Sequence, residues 1–380
     1  MEHVPFNAAL LKTIRTAFPD KTIDFWGEDS HIEEIKRQLG ASYSVSIKWS
    51  SIMIPPRHAG FYKRFLPDLQ NIKFLLDKLN SEPSSDVLVI TFGNASILWT
   101  LKYYISSVNK DKKIQVVLHG DFSKLRYRAS LRDHLNPLYH IGTLKTALRF
   151  ACEQRIQYIV LEEAIHSAII EVMPFLGDRF SVFDHPLPGD NKPVGVCDLT
   201  SPVQIGFLGA ASERKGFIRY LQVAADVKRQ MPGLADFHLV GYISEYQRNY
   251  DFDCLIDKPT TQRLNRDEYV NRLNKLHFVC LFYEREYELT ASGVLLDCIE
   301  YGKPIIASRL PIFEMPARKL HDIGYLCDSD EFSRTIINII NTNDSARYEK
   351  QVQNMLRLKV TRSPETLANV YRGLIEYGHA

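Results

Sequence analysis

Several features that would decide a protein's class at once are scarce in this sequence. Its six cysteines, Cys152, Cys197, Cys254, Cys280, Cys298 and Cys327, include no C-x-x-C pair. Most stand inside apolar stretches, so they read as reduced core residues of a cytosolic protein, not as a disulfide framework or zinc ligands. No apolar run approaches the roughly 18 residues that a membrane-spanning helix needs, and the opening residues lack the pattern of a signal peptide. No His or Cys cluster has metal-ligand spacing, so neither a metal nor a resident cofactor is expected. Net charge is only +2, which leaves no basic footprint for nucleic acid, and none is expected as a partner. One segment departs from this balance: residues 101–150 hold ten Lys or Arg against three Asp. That excess fits an ordinary solvated face, or equally a peripheral contact with an anionic membrane or a phosphate-bearing acceptor.

What is present is enough chain for two domains. The 380 residues are 45% hydrophobic and 24% charged, as in soluble globular proteins. Phe6, Ala9, Leu10, Thr13, Ile14 and Ala17 describe an amphipathic helix that opens the sequence. Strands are then expected at 22–26, 43–48, 86–91, 114–118, 158–161 and 179–183, with helices between them. Residues 55–65, basic and aromatic, read as a Pro-led loop that either covers a ligand or merely connects elements. Asn94 stands in a strand-to-helix turn of small residues; His119, Gly120 and Asp121 follow the strand at 114–118. Residues 187–202, rich in Pro and Gly, read as an interdomain linker where two halves could hinge.

Two β-loop-α units in the second half carry the chemistry. At 278–282 a short apolar run of β-formers leads into Glu284, Glu286 and Glu288 and then Thr290, Ala291, Ser292 and Gly293. These last four are small, so a phosphate could approach their N–H groups closely. Val294, Leu295, Cys298 and Ile299 fall on one face of a helix, which Gly302 and Pro304 end before the strand Ile305, Ile306, Ala307. In a parallel sheet such a loop lies outside the carboxyl ends of the strands, with its amides at a helix N-terminus that favours anions. It is a natural seat for a diphosphate. Upstream, the strand at 203–208 is followed by Gly209, then Arg214, Lys215, Gly216 and a helix from Phe217. The two cations either neutralise a phosphate or mark a solvent-facing helix start. The strand at 237–242 carries Gly241 near its end. Asp251-Phe252-Asp253 has the form of a metal-diphosphate motif, but no long apolar strand precedes it and it reads as loop.

The segment 279–309 resembles the donor site of retaining GT-B glycosyltransferases that use nucleoside-diphosphate sugars, the "glycosyl transferases group 1" type. Val294-Leu295-Leu296-Asp297 matches the end of that motif, with Asp297 in place of its second Glu. Gly302-Lys303-Pro304-Ile305-Ile306-Ala307-Ser308 matches the helix stop and the strand that come after the motif in this family. The motif's first Glu belongs eight positions earlier, where this chain has Leu289, with Glu288 one step off. Lys215-Gly216 matches the family's Lys-Gly, and Ala210 stands where the family has an Arg, for which Arg214 could substitute.

The resemblance implies an α/β GT-B fold of two Rossmann-like domains facing across a cleft: 1–186 on the acceptor side, 187–202 as linker, and 203–362 binding the nucleotide-sugar. A helix at 363–380 is expected to pack back on the first domain, or to dock on its own. The family opens with a strand and a Gly-rich loop ahead of the first helix, and both are expected to be missing here, by truncation or genuine departure.

The implied activity is metal-independent transfer of a hexose from a UDP- or GDP-sugar to a hydroxyl of a glycan, glycolipid or other acceptor. The implied setting is cytoplasmic, or peripheral on the inner membrane face, in bacterial-type surface polysaccharide or glycolipid synthesis. His119, Lys215 and Glu288 are the expected catalytic residues, although His119 read alone is more readily a structural residue of a polar turn. Arg214, Lys215, Gly241, Thr290, Ala291, Ser292, Gly293, Val294 and Asp297 are expected to bind the donor, and Asn94 and Asp121 to face the acceptor. Two other readings stay open: a catalytically silent GT-B-like binding subunit, and a nucleotide-sugar epimerase on the same fold.

Overall fold

The computed structural model describes residues 3–55, 60–84, 86–119, 122–126, 141–188 and 198–377. Asp121, residues 56–59 of the Pro-led loop, residues 189–197 of the expected linker, Cys197, and Arg128 and Arg132 of the basic run lie outside the described residues. Two compact units divide the chain. One comprises Met1–Gly189, Leu289–Ala291 and Arg362–Ala380; the other comprises Asp190–Glu288 and Ser292–Thr361.

In the first unit β1 (Ile23–Gly27) pairs with β2 (Ile47–Ser51), while β3 (Val87–Ile90), β4 (Lys113–Leu118), β5 (Ile156–Leu161) and β6 (Phe180–Phe183) form a separate four-stranded sheet in that order. Every pairing is parallel, so each strand must be reached by a crossover, and helices supply it. The opening helix Val4–Ala17 is buried on two faces. Phe6, Leu10 and Ala17 pack with Val117, Ile159 and Tyr371, whereas Val4, Ala8 and Leu11 pack with Ile35, Leu39 and Ile47. The last helix, Pro364–Tyr377, belongs to this unit. Its Tyr371 hydroxyl donates to Gln115 at 2.8 Å, and its Arg372 donates to the Ala17 carbonyl at 2.7 Å. Val370, on the same helix, is 49% exposed.

Two expected elements are corrected here. The strand at 43–48 begins four residues later, because Gly40, at φ 77°, starts a short helical turn, Ala41–Ser44. Ile47 is then the first residue in register, opposite Ile23. Residues 61–65 are not loop but the first turns of the helix Phe61–Ser81. There Arg64, buried, lies 3.5 Å from Asp68 one turn on and donates to the Pro55 carbonyl at 3.0 Å. This i,i+4 pair continues the helix through Pro67.

The second unit has one continuous parallel sheet, ordered β11 (Gly324–Cys327), β10 (Ile305–Ser308), β9 (Phe278–Leu281), β7 (Val203–Ala210), β8 (Ala235–Tyr242). Its central strands are buried on both faces, hence their unbroken apolar runs. Chain order reverses between β7 and β9, and such a switch point is where open α/β sheets bind ligands. The helices Pro311–Leu320, Phe332–Thr342 and Ser345–Thr361 also belong to this unit.

Candidate functional site

At the switch point two loops are locked together from below. Gly216 has φ 76°, and a Cβ there would stand 2.0 Å from the Phe282 carbonyl oxygen, so only glycine lets the loop after β7 lie on the end of β9. The Glu284 N–H then donates to the Arg214 carbonyl at 3.1 Å. Gly241 meets β7 as closely: a Cβ there would stand 1.8 Å from the Gly209 oxygen. Close backbone packing therefore accounts for Gly241 by itself.

Lys215 ends the short turn Glu213–Lys215, and its Nζ turns back over the strand end. It would lie 3.7 Å from a Cβ at Gly209, with Val294 Cγ2 at 3.8 Å from the same point. Burial pulls the ammonium pKa down, and the nearby Asp297 carboxylate opposes that shift. A half-buried cation beside the opening turn of Gly293–Glu300 is a favourable partner for an anion. That helix is capped by Ser292, whose Oγ accepts from the Leu295 N–H at 3.1 Å and lies 3.0 Å from the Tyr283 hydroxyl. The Ser292 hydroxyl is therefore spent on the fold, and with it the Leu295 N–H; an anion at this helix start would meet the N–H groups of Gly293 and Val294. Gly293 is exposed, with open space where a Cβ would be.

Asp297 is held by two residues that sequence reasoning did not single out. Arg266 donates to its Oδ1 from both terminal nitrogens at 3.1 Å, and the Tyr269 hydroxyl donates to its Oδ2 at 2.7 Å. Arg266 also lies over the rings of Tyr269 and Tyr301, at 5.3 and 5.8 Å. Burial pushes the Tyr269 phenol well up, and the Asp297 charge pushes it further, so it remains a donor. Both residues stand on the helix Arg266–Asn274. Their i,i+3 spacing places them on one face, the only sequence signal for this clamp. Glu288 is buried and lies 3.5 Å from Arg285. Arg214 is exposed, 6.0 Å from the Tyr287 ring. Asp251 accepts from the Asp253 N–H at 2.9 Å in a turn.

The remaining candidates fall in the first unit. Thr290 and Ala291 group there, apart from Ser292 and Gly293. Asn94 caps the helix Ala95–Tyr104 by accepting from the Ile97 N–H at 3.0 Å, and its buried Nδ2 has no partner. His119 follows β4 and meets the ring of His3 at 4.2 Å, Phe6 at 4.4 Å and His185 at 5.4 Å. Burial lowers both flanking imidazoles, His3 and His185, to about 4, so they are neutral at pH 7. Behind them Arg362 makes a two-pronged pair with Glu162, one prong at 2.8 Å, and the His185 N–H donates to the same carboxylate at 2.9 Å.

No family model matches the chain, and no curated protein matches it in sequence. Solved structures do. HepE of Anabaena, in complex with UDP and glucose, superposes with a TM-score of 0.59 over 96% of this chain and 94% of its own, at 15% identity. A glycosyltransferase from Rickettsia africae gives 0.62 over 98% and 95%, at 11% identity. The fold is GT-B. Sucrose-phosphate synthase from Thermosynechococcus elongatus is a third GT-B neighbour, at 0.57 over 94% of this chain and 100% of that one, with 13% identity. At such identities the likeness is one of fold, and the chemistry rests on the residues above.

Proposed function

We propose that the chain is a glycosyltransferase moving a hexose from a nucleoside-diphosphate sugar to a hydroxyl acceptor, with retention of configuration. The observation that carries this reading is the convergence of a half-buried lysine, Lys215, with Gly209 and Val294 at the opening of a helix, at the switch point of a parallel sheet. Breaking a glycosidic bond to a diphosphate needs stabilisation of charge on the departing group. Lys215 supplies it as a fixed, poorly solvated cation, the amides of Gly293 and Val294 add to it, and exposed Arg214 closes on the outer oxygens. Asp297, oriented by Arg266 and Tyr269, takes the ribose hydroxyls; Glu288 and His119 orient the sugar. Thr290 and Ala291 contribute donor contacts, and Asn94 faces the acceptor. The HepE complex with UDP and glucose supports a donor of this chemical class.

The test is transfer of label from a panel of UDP- and GDP-sugars to hydroxyl acceptors. Transfer from at least one, lost more than about tenfold in Lys215→Ala and in Asp297→Ala, supports the reading. No transfer from any donor, or full activity in both variants, contradicts it.

A second reading is favoured by one observation. The carboxylates of Asp297 and Glu288 already have cationic neighbours, Arg266 and Arg285. A catalytically silent GT-B subunit that binds a glycan or an enzyme would tolerate that. Absence of any nucleotide-sugar affinity by calorimetry would select it.

A further inference from the structure

The Asp297 carboxylate is already largely engaged. Its Oδ1 accepts from both terminal nitrogens of Arg266, each at 3.1 Å, and its Oδ2 accepts from the Tyr269 hydroxyl at 2.7 Å. A carboxylate offers about four lone-pair directions. The two Arg266 bonds and the Tyr269 bond take all but one, and the direction that remains is on Oδ2. Asp297 stands about one turn after Gly293 on the same helix, so the two share a face of it.

The guanidinium beside it is held on several sides. It lies over the rings of Tyr269 and Tyr301, at 5.3 and 5.8 Å, and its Nη2 stands 3.6 Å from the Glu300 carboxylate. Arg266 is the first residue of its helix, and the Asn265 side chain fixes that start by accepting from the Glu268 N–H at 2.9 Å. A guanidinium carries five N–H donors and no acceptor. The Arg266 side chain is 45% exposed against 20% for Asp297, so donors remain for a ligand that approaches the pair.

A ribose presents two neighbouring hydroxyls, each able to donate or to accept. A bare carboxylate would accept from both. The clamped one has room for a single donor, and the group beside it can only donate. We propose that Arg266 reads the ribose of the donor: one ribose hydroxyl donates to Asp297 Oδ2, and its neighbour accepts from an Arg266 N–H. This role rests on the nucleotide-sugar reading above and deepens it, because the two hydroxyls then have different partners and different weights. Water replaces a lost hydroxyl more readily at the exposed guanidinium than at the less exposed carboxylate. The two hydroxyls of the nucleotide are therefore not equivalent to this site.

The test is titration calorimetry with UDP, 2′-deoxy-UDP and 3′-deoxy-UDP, and with the corresponding guanosine diphosphates if GDP is the nucleotide bound. In the unmodified chain one deoxy isomer binds at least about tenfold more weakly than the parent nucleotide, and the other within about threefold of it. Arg266→Ala frees both directions on Oδ1, so both hydroxyls can donate to the carboxylate and the gap between the isomers closes to within about threefold. Tyr269→Phe, nearly isosteric, frees a second direction on Oδ2 and narrows the same gap, which reads the proposal even if Arg266→Ala fails to fold. Equal losses for the two isomers in the unmodified chain overturn the proposal. So does a gap that survives in folded Arg266→Ala or, where that variant does not fold, in Tyr269→Phe. Either result leaves the nucleotide-sugar reading standing, whereas binding of neither UDP nor GDP removes that reading and the role of Arg266 with it.

Discussion

The second unit's sheet is continuous from β11 to β8, whereas the first unit's is in two pieces with a cavity between. Where the sheet is whole, the loops at its switch point rest on backbone. Gly216 lies against Phe282 and Gly241 against Gly209, and the Lys215 Nζ lies beside Gly209 at the end of β7. Where the sheet is split, its carboxyl end is organised by side chains: the edge-to-face imidazoles of His3, His119 and His185, and the Glu162–Arg362 pair behind them. The contrast separates a half whose loops rest on backbone contacts, where we propose the anion site, from a half whose geometry depends on burial and charge pairing.

Breaking the side-chain framework has the largest expected effect. Glu162→Gln leaves Arg362 buried and uncompensated, and should cost the first unit about 3–5 kcal/mol, read by urea unfolding with exchange followed in each unit. The Glu162 carboxyl sits below its ordinary range: burial pushes it up, but Arg362 outweighs that. Its contribution is therefore present above the ordinary carboxylate range and lost as pH falls through the depressed folded value. A loss spread equally over both units would break the comparison.

Lys215→Ala acts on the other side. Turnover should fall about a hundredfold, equivalent to about 2.7 kcal/mol of barrier, with thermal stability unchanged, since the lysine is a preformed cation and not a prop. Acidification comes next in size. His3 and His185 titrate near 6.5 when unfolded and near 4 when folded. The unfolded state thus binds protons first, and stability that is complete above pH 6.5 is lost progressively toward pH 4, by about 1–3 kcal/mol per histidine. Between pH 7 and 5 the protection factors, which divide out the intrinsic pH dependence of amide exchange, should fall more in the first unit than in the second. The smallest effect is Ser292→Ala, about 1 kcal/mol for a lost helix cap, measured as a shift in the urea midpoint with UDP affinity nearly kept.

Much of the second unit was legible in the sequence because local signals agree there. The apolar run at 278–282, the small residues before Val294 and the Gly302–Pro304 stop all specify one β-loop-α-β unit, and Lys215-Gly216 another. The clamp on Asp297 was not legible, because Arg266 and Tyr269 lie 31 and 28 positions from it and only the fold brings them together. In the first unit β2 was misplaced because Gly40 starts a helical turn that β-formers such as Tyr43 and Val45 obscured. The start of the helix Phe61–Ser81 was hidden by the prolines before it. The opening helix was read as amphipathic, but it is buried on two faces, and its polar residues Asn7, Lys12 and Thr13 are buried with the rest. The helices Pro311–Leu320, Phe332–Thr342 and Ser345–Thr361 were not read at all; the first starts with a proline and contains a second, Pro316.

The central claim is that the second unit grips a diphosphate through Lys215 and the opening amides of Gly293–Glu300. Titration calorimetry of UDP and GDP against the unmodified chain and Lys215→Ala tests it most directly. The account predicts measurable affinity for at least one nucleotide in the unmodified chain, weakened at least about tenfold, or about 1.4 kcal/mol, in the variant. Equal affinity in both proteins, or none in either, would contradict it.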